Sequence, residues 1–181
     1  MPTYISLLRG INVGGHNKVP MDRLRVMCEA LGFKQVRTYI QSGNLIFETA
    51  KSDPSALSAK IEKKILAEFG FPVSVITRTP DDLRQAIKEN PFVEESAAEP
   101  GKVYTAFLAQ VPKPEAMKKL QSLASASEQV RCKKEIYLYY RDGMGRAKLT
   151  SNALEKRLAV TATARNWNTV TRLYEMAMEK S

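Results

Sequence analysis

Strand-like and helix-like segments follow one another along this 181-residue chain in an order that occurs twice. In the first half, apolar segments with the period of a strand and amphipathic segments with the period of a helix lie at 4–8, 20–31, 35–40, 45–48, 52–69 and 73–77. This β-α-β-β-α-β order is the split βαβ order of ferredoxin-like domains. It predicts an α+β domain with an antiparallel sheet and both helices on one face of that sheet.

The segment 52–69 gives the clearest helical signal. Its apolar side chains recur every four residues, at Leu57, Ile61, Ile65 and Phe69. This spacing is typical of a helix packed on a sheet, and Ser52 is expected to cap its first turn. In the strand at 35–40, alternation predicts that Val36 and Ile40 share a face. The hydrophobic pattern therefore predicts one core for the first half.

The second half of the chain repeats the order. Its strands and helices are predicted at 103–109, 114–124, 129–133, 136–140, 149–158 and 161–165. Further helices are predicted at 79–88 and 168–179, and the acidic, breaker-rich segment 94–101 is the best linker candidate. The sequence therefore predicts two tandem ferredoxin-like domains, at 1–93 and 102–181, with an extra C-terminal helix.

The net charge of +9 and the pI of about 9.6 favour acidic partners, such as nucleic acid or a phosphorylated small molecule. The excess is nevertheless even along the chain. Residues 1–90 carry 13 Lys and Arg against 9 Asp and Glu, and residues 91–181 carry 15 against 10. An evenly solvated basic surface is therefore the alternative interpretation of the charge.

Composition also bears on the compartment. No apolar run is long enough to span a bilayer, and Arg9 interrupts the first apolar run, so neither a membrane segment nor a signal peptide is expected. Cys28 and Cys132 are far apart, fit no metal-ligand spacing and are expected to be buried thiols. These features predict a cytoplasmic protein without a metal site. They assign neither a cofactor nor an oligomeric state.

The glycine-rich loop from Arg9 to Lys18 is the first candidate site. It follows a buried strand and precedes a helix, so its backbone N–H groups could approach an anion. The residues expected to contact such a ligand are Arg9, Asn12, Gly14, Gly15 and Lys18. The glycine spacing is neither that of a P-loop nor that of a dinucleotide fingerprint. A long loop that needs glycine for tight turns is the alternative, and His16 within it is expected to be solvated.

The hairpin turn at 41–44 is a second polar feature. In the predicted domain we place this turn at the end of the sheet opposite the Arg9–Lys18 loop. The two would then not share a pocket within one domain.

A basic and aromatic region near the C-terminus is the third candidate. Tyr137 and Tyr139 are expected on one face of a strand, with Ile136, Leu138 and Tyr140 on the other. Cations follow this strand, and aromatics interleaved with cations suit stacking on bases. The residues expected to contact a ligand here are Arg146, Lys148, Arg165, Asn166 and Trp167. The alternative is that Tyr137 and Tyr139 cover a sheet face against the other domain, and that Trp167 and a capping Asn166 or Asn168 fix the last helix.

Four segments carry a family resemblance. They read LRGINVGG at 8–15, RTYIQSGN at 37–44, GRAKL at 145–149 and TARNWNTV at 163–170. Together they resemble the bacterial domain-of-unknown-function family 1697, with Ala147 where serine is usual. The resemblance extends over essentially the whole chain and implies a tandem ferredoxin-like fold. It implies no established activity.

Three functions remain open at this point. The first is a cytoplasmic protein that binds an anion, nucleic acid or a nucleotide, without catalysis. The second is an enzyme acting on a small phosphorylated or carboxylated substrate at a cleft between the domains, whose catalytic residues the sequence does not assign. The third is a structural or interaction module, in which Arg9 and Arg165 would bond internal carboxylates and carbonyls.

Overall fold

A computed structural model describes residues 1–179 of the chain. Within these residues the fold is mixed α+β, with two four-stranded antiparallel sheets and seven α-helices. The chain divides into two compact units. The first unit contains Met1–Arg84 and the segment from Leu173 onward, and the second contains Gln85–Arg172. The predicted α+β class and the two antiparallel sheets are confirmed.

The first unit contains one sheet and two long helices. Its elements are β1 (Thr3–Leu8), α1 (Met21–Ala30), β2 (Lys34–Thr38), β3 (Asn44–Glu48), α2 (Pro54–Phe69) and β4 (Val75–Arg78). The strand order is β2-β3-β1-β4, so β1 is central and antiparallel to both neighbours. Leu7 lies opposite Asn44 on β3, and Leu8 lies opposite Val75 on β4.

Both helices of the first unit bury their apolar stripe against the sheet. Leu57, Ile61 and Ile65 of α2 are buried in the same core as Leu24 of α1 and Phe47 of β3. Each such side chain stabilises the fold by about 1.5–3 kcal/mol relative to its exposed state. The four-residue stripe predicted for α2 is therefore confirmed as the core-facing side of that helix.

The second unit has the corresponding sheet order, β6-β7-β5-β8. The remaining elements are α3 (Pro80–Lys88), α4 (Val93–Ala98), β5 (Val103–Leu108), α5 (Pro114–Gln121), β6 (Glu128–Cys132), β7 (Ile136–Tyr140), α6 (Ser151–Leu158), β8 (Ala162–Asn166) and α7 (Trp167–Met178). Leu120 of α5 and Leu154 and Leu158 of α6 are buried with Leu138 of β7. Both helices therefore cover the same face of this sheet.

The predicted linker at 94–101 is wrong in its local structure. The segment forms α4 and a 3₁₀ turn at Pro100–Lys102. Phe92 is buried against Tyr139, with ring centroids 6.0 Å apart, and its carbonyl accepts the amide of Ser96. The burial of Phe92 outweighs the breaker-rich composition, because tertiary packing commonly overrides local propensity.

Two smaller predictions in the first half are also wrong. Ile40 is not in β2, which ends at Thr38, and it is 48% exposed with a φ of +49°. The strand ends two residues before Ile40, so strand alternation no longer applies there, and a bulge between Lys34 and Arg37 also interrupts the alternation earlier in β2. Asp53, rather than Ser52, caps α2, because the carboxylate of Asp53 reaches the amide of Ala56.

None of the helices within residues 1–179 combines the length and the apolarity needed to cross a bilayer. Cys28 is buried in the core of the first unit, and Cys132 is half-buried in the second. Burial raises the pKa of the Cys28 thiol to about 12, so this thiol is neutral at physiological pH.

Candidate functional site

The loop after β1 and the turn between β2 and β3 lie side by side. The amide of Leu8 donates to the carbonyl of Gly43 at 2.8 Å, and Asn12 Nδ2 donates to the carbonyl of Gln41 at 2.8 Å. The prediction that they occupy opposite ends of the sheet is wrong. Because β1 and β3 are antiparallel, the end of β1 lies beside the start of β3, where the turn is attached.

Gly43 fits closely against this loop. Its φ is +86°, and a Cβ at this position would lie 2.6 Å from Ile11 Cδ1 and 2.8 Å from Leu8 Cβ. No L side chain is accommodated at such distances without movement. Glycine in the turn is therefore required both for backbone conformation and for contact with the loop.

Asn12 fixes the shape of the loop through its side-chain amide. Its Nδ2 donates to the carbonyls of Gln41 and Val19, and its Oδ1 accepts the amide of Val19 at 2.8 Å. Its φ of +56° is in the left-handed region, which asparagine tolerates better than most residues. The side chain expected to contact a ligand is thus engaged with the protein backbone.

The tip of the loop, from Val13 to Lys18, is open to solvent. Gly14, Gly15 and Lys18 are exposed, as is His16. A tight turn is closed by the amide of His16, which donates to the carbonyl of Val13 at 3.0 Å, and both glycines within it have positive φ. The glycines therefore allow the loop to turn tightly, which is the alternative interpretation of this loop.

A cavity of about 560 Å³ lies beside the loop in the first unit. It is lined by Arg9, Gly10, Asn17, Ala59, Glu62, Lys63, Leu66, Pro72, Val73 and Ser74. The pairing of β1 with β4 creates this site, because the amide of Arg9 donates to the carbonyl of Ser74 at 2.9 Å. α2 supplies the facing wall.

The cavity contains two cations and one carboxylate. The carboxylate is that of Glu62, whose Oε1 accepts the amide of Val75 at 2.8 Å and so holds the start of β4. Lys63 is exposed on the neighbouring position of α2, and Arg9 is half-buried. Lys63 is therefore the exposed charged group of the lining, while the acid serves the backbone.

The structure selects among the predicted loop residues. Arg9 lines the cavity, whereas Asn12, Gly14, Gly15 and Lys18 are not part of the lining. Sequence reasoning missed Lys63, because nothing in the sequence shows that α2 faces the end of β1. Asn17 also lines the cavity, and its Nδ2 donates to the carbonyl of Gly10 at 3.3 Å.

The predicted residues of the second unit lie in different environments. Arg146 and Lys148 are exposed around the 3₁₀ turn Met144–Arg146. The backbone amide of Lys148 donates to Glu128 Oε1 at 2.7 Å, so the carboxylate fixes this segment. The backbone that carries these two exposed side chains is therefore held in place by Glu128.

Arg165 is buried within the second unit. It is 6% exposed, and its Nη1 donates to Thr163 Oγ1 at 2.8 Å and to the carbonyl of Ala164 at 2.9 Å. Burial lowers the pKa of Arg165 to about 10, which leaves the guanidinium protonated at neutral pH. Internal acceptors such as the Ala164 carbonyl are what a structural or interaction module predicts for Arg165.

Asn166 and Trp167 form the start of α7. Asn166 Oδ1 accepts the amide of Thr169 at 2.9 Å, which satisfies one free donor of the first turn. Trp167 packs against a cluster that includes Phe92 and Tyr139. The asparagine therefore has a capping contact and the tryptophan a packing contact within the second unit.

The tyrosines of β7 are packed inside the protein. Tyr137 and Tyr139 share one face, and Tyr140 lies on the other with Leu138, as alternation predicts. The hydroxyl of Tyr137 donates to the carbonyl of Ala86 at 2.6 Å, and that of Tyr140 to the carbonyl of Leu149 at 2.5 Å. Burial raises the pKa of both phenols. These rings are therefore not exposed for stacking on bases.

The structure supplies no obvious metal site. In the part of the chain from residue 1 to residue 179, no three His, Cys, Asp or Glu side chains are grouped so that they could hold a metal ion.

Comparison with known proteins supports the fold and the family. No curated protein matches the chain. Among solved structures, the conserved bacterial protein SP0830 from Streptococcus pneumoniae is similar, with 24% sequence identity and a TM-score of 0.75, over 97% of this chain and 98% of that one. A family model described as a protein of unknown function, DUF1697, matches residues 1–137, which include the segments 8–15 and 37–44. The chain therefore belongs to the DUF1697 family.

Proposed function

We propose that this protein binds a phosphorylated small molecule of nucleotide size, without catalysis, in the cavity beside Arg9. One observation carries the proposal, namely that the cavity brings Arg9 and Lys63 together from separate parts of the first unit. An anionic group contacted by both cations would gain charge-assisted hydrogen bonds, each of which contributes about 1.5–3 kcal/mol.

The size and the walls of the cavity support this ligand class. Its volume of about 560 Å³ is within the range of roughly 300–1,000 Å³ usual for small-molecule sites. Leu66, Pro72 and Val73 supply apolar parts of the lining beside the charged groups. A molecule with an anionic end and an apolar or aromatic body, such as a nucleoside phosphate, suits this combination.

The two sheets and the two free thiols support further parts of the proposal, on the domain fold and on the compartment. We infer that both sheets belong to ferredoxin-like domains, and the orders β2-β3-β1-β4 and β6-β7-β5-β8 support this inference. The sequence predicts these domains at 1–93 and 102–181, whereas the compact units divide the chain after Arg84 and after Arg172. The free thiols Cys28 and Cys132 are in keeping with a cytoplasmic protein.

A thermal-shift screen of the full chain with nucleoside mono-, di- and triphosphates and inorganic pyrophosphate tests the proposal. A ligand present at about 100 times its dissociation constant stabilises the protein by about 2.7 kcal/mol, which such a screen detects. The dissociation constant of any hit is then measured by titration calorimetry for the wild type and for two lysine variants.

Lys63→Ala removes a cation of the cavity, and Lys64→Ala removes its neighbour on α2, which is not in the lining. We expect Lys63→Ala to weaken binding about tenfold or more, because one charge-assisted contact is lost. Lys64→Ala should leave the affinity unchanged. A screen without a hit, or equal losses in the two variants, would overturn the proposal.

A further inference from the structure

α5, α6 and the segment before α6 form one outer surface of the second unit. Leu120 of α5 and Leu154 of α6 are buried in the same core, and Leu149 joins them from the preceding segment. Because all three elements cover the same face of the sheet, their other sides point outward together. This outward side is a continuous layer of the second unit.

The outward side is strongly basic. Its exposed cations are Lys113, Lys118, Lys119, Arg146, Lys148, Lys156 and Arg157, which together we call the α5–α6 basic surface. The same elements carry two carboxylates, Glu115 and Glu155. Glu155 Oε1 accepts the amide of Ala162 at 2.8 Å, so it is engaged with the backbone of β8.

These seven cations are not neutralised by the protein. Within residues 1–179, none of them takes part in an ion pair. The nearby Glu128 is held by the backbone amides of Lys148 and Leu149. Seven positive charges on one side against two carboxylates raise the potential outside that side and attract a polyanion.

We propose that the α5–α6 basic surface binds the phosphate backbone of a nucleic-acid duplex without sequence specificity. This surface shares no residue with the cavity beside Arg9, so the inference does not depend on the proposed small-molecule ligand. Binding to the phosphate backbone requires Lys and Arg side chains, and it does not require side chains placed to contact base edges. The seven cations of this surface meet that requirement.

The chemistry of the surface favours a duplex over a single strand. Single strands are commonly bound by exposed aromatic side chains on which the bases stack. α5, α6 and the segment 144–149 contain no aromatic residue. The tyrosines of β7 are buried, so neither face of that strand supplies a stacking platform.

The surface is also a poor fit for a lipid bilayer. Membrane-bound helices commonly insert an apolar face, but the apolar residues of α5 and α6 are buried in the core. The exposed aliphatic residues nearby, Val111 and Leu123, are 85% and 39% exposed and flank opposite ends of the eight-residue α5. They do not form one apolar patch.

The test measures binding of the full chain to a fluorescent duplex of about 20 base pairs, as DNA and as RNA, over a range of salt concentrations. We expect binding at about 50 mM salt with a slope of log K against log salt near −4, which corresponds to four or five neutralised phosphates. A single strand of the same length should bind more weakly.

A fourfold variant, Lys118→Gln, Lys119→Gln, Lys156→Gln and Arg157→Gln, removes charge without introducing repulsion. We expect its affinity to fall at least about tenfold and its salt slope to flatten, since each phosphate contact contributes almost one unit of slope. The matched control Lys51→Gln with Lys64→Gln alters exposed and half-buried cations of the first unit, and it should bind almost as the wild type does. Circular dichroism verifies that both variants are folded.

Three results would overturn the inference. These are the absence of duplex binding by the wild type at low salt, equal losses per removed charge in the fourfold variant and the control, and tighter binding to single strands or to phosphatidylserine vesicles than to duplex. The variant Lys63→Ala should bind duplex as the wild type does. A failure of the small-molecule proposal can therefore be told apart from a failure of this inference.

Discussion

The two units have corresponding strand orders but differ in the connection that follows their first strand. β1 is joined to α1 by residues 9–20, whereas β5 is joined to α5 by residues 109–113. α2 has 16 residues, and its counterpart α6 has 8. The long loop and the long helix together line the cavity of the first unit. Strand order alone therefore does not decide where a site forms, and the lengths of the covering segments do.

The helical layers of the two units also use their charges differently. In the first unit, Arg25 pairs with Glu29 at 3.0 Å, and the guanidinium of Arg23 lies 4.6 Å from the centre of the Phe69 ring. In the described part of the second unit, the cations of the α5–α6 basic surface take part in no such ion pair. Among residues 1–179, the ion-paired cations of the first helical layer belong to α1, whereas α5, α6 and the segment before α6 have none, and exposed ion pairs contribute little to stability in either unit.

The closest contact between loop and turn is at Gly43, and it gives the largest expected effect. Gly43→Ala combines a positive φ with an overpacked contact to Ile11, so we expect a loss of about 3 kcal/mol in the free energy of unfolding. Gly70→Ala is the matched control in the same unit, since its φ is +81° and a Cβ there meets no atom within 4 Å. Chemical denaturation measures both.

The difference between the two glycine variants isolates the packing of the turn on the loop. The control should lose only the backbone part, about 1–2 kcal/mol. Equal losses would show that Gly43 does not press against Ile11 and Leu8. The packed glycine would then no longer distinguish this turn from the turn between β6 and β7, which contains no glycine.

Asn12 gives the second prediction, which concerns the shape of the loop. Asn12→Ala removes the acceptor of the Val19 amide and both bonds from Nδ2, so we expect a loss of about 2 kcal/mol. Asn17→Ala is the control, because Asn17 also has a positive φ but makes one exposed bond of 3.3 Å. It should lose about 1 kcal/mol or less.

Chemical denaturation again provides the measurement for the asparagine pair. Should Asn17→Ala prove as damaging as Asn12→Ala, backbone conformation alone would explain both losses. The side-chain bonds of Asn12 would then not be what holds the long loop against the turn.

The sequence was sufficient for the parts of this fold that depend on local pattern. The four-residue stripe of α2 and the alternation along β7 each identify a buried face, because side-chain direction follows directly from helical or strand geometry. It was insufficient for α4, whose formation accompanies burial of Phe92 against Tyr139. That contact joins residues far apart in the sequence and leaves no local signal.

The site was predictable only in part for the same reason. The loop from Arg9 to Lys18 was identified by its composition, but the wall that faces it is built by α2 and by the segment before β4. Lys63 and Val73 become neighbours of Arg9 only through the pairing of β1 with β4. The bonds of Asn12 to Gln41 are likewise non-local, so the sequence could not separate a ligand-binding asparagine from one that holds the loop.

The smallest expected effect concerns the caps of α2 and α6, which are corresponding helices with different capping chemistry. Asp53 caps α2 with a carboxylate that accepts from the hydroxyl of Ser55 and the amide of Ala56. Thr150 caps α6 with a hydroxyl that accepts the amide of Ala153 at 3.3 Å. The hydrogen bonds from Ser55 and Ala56 hold the pKa of Asp53 below its usual value of 3.8.

The sign of the pH effect follows from this pKa. Since the folded pKa of Asp53 is the lower one, its stabilising contribution is fully present above about pH 4 and is lost as the pH falls through the folded pKa. Asp53→Asn, which keeps a capping side chain, should therefore be less stable than the wild type at neutral pH and equal to it in acid. Thr150→Ala should lose about 1 kcal/mol at every pH. Denaturation curves between about pH 2 and pH 7 measure the stability of both variants. If the stability lost by Thr150→Ala changed with pH in the same way as that lost by Asp53→Asn, the two caps would not differ in kind.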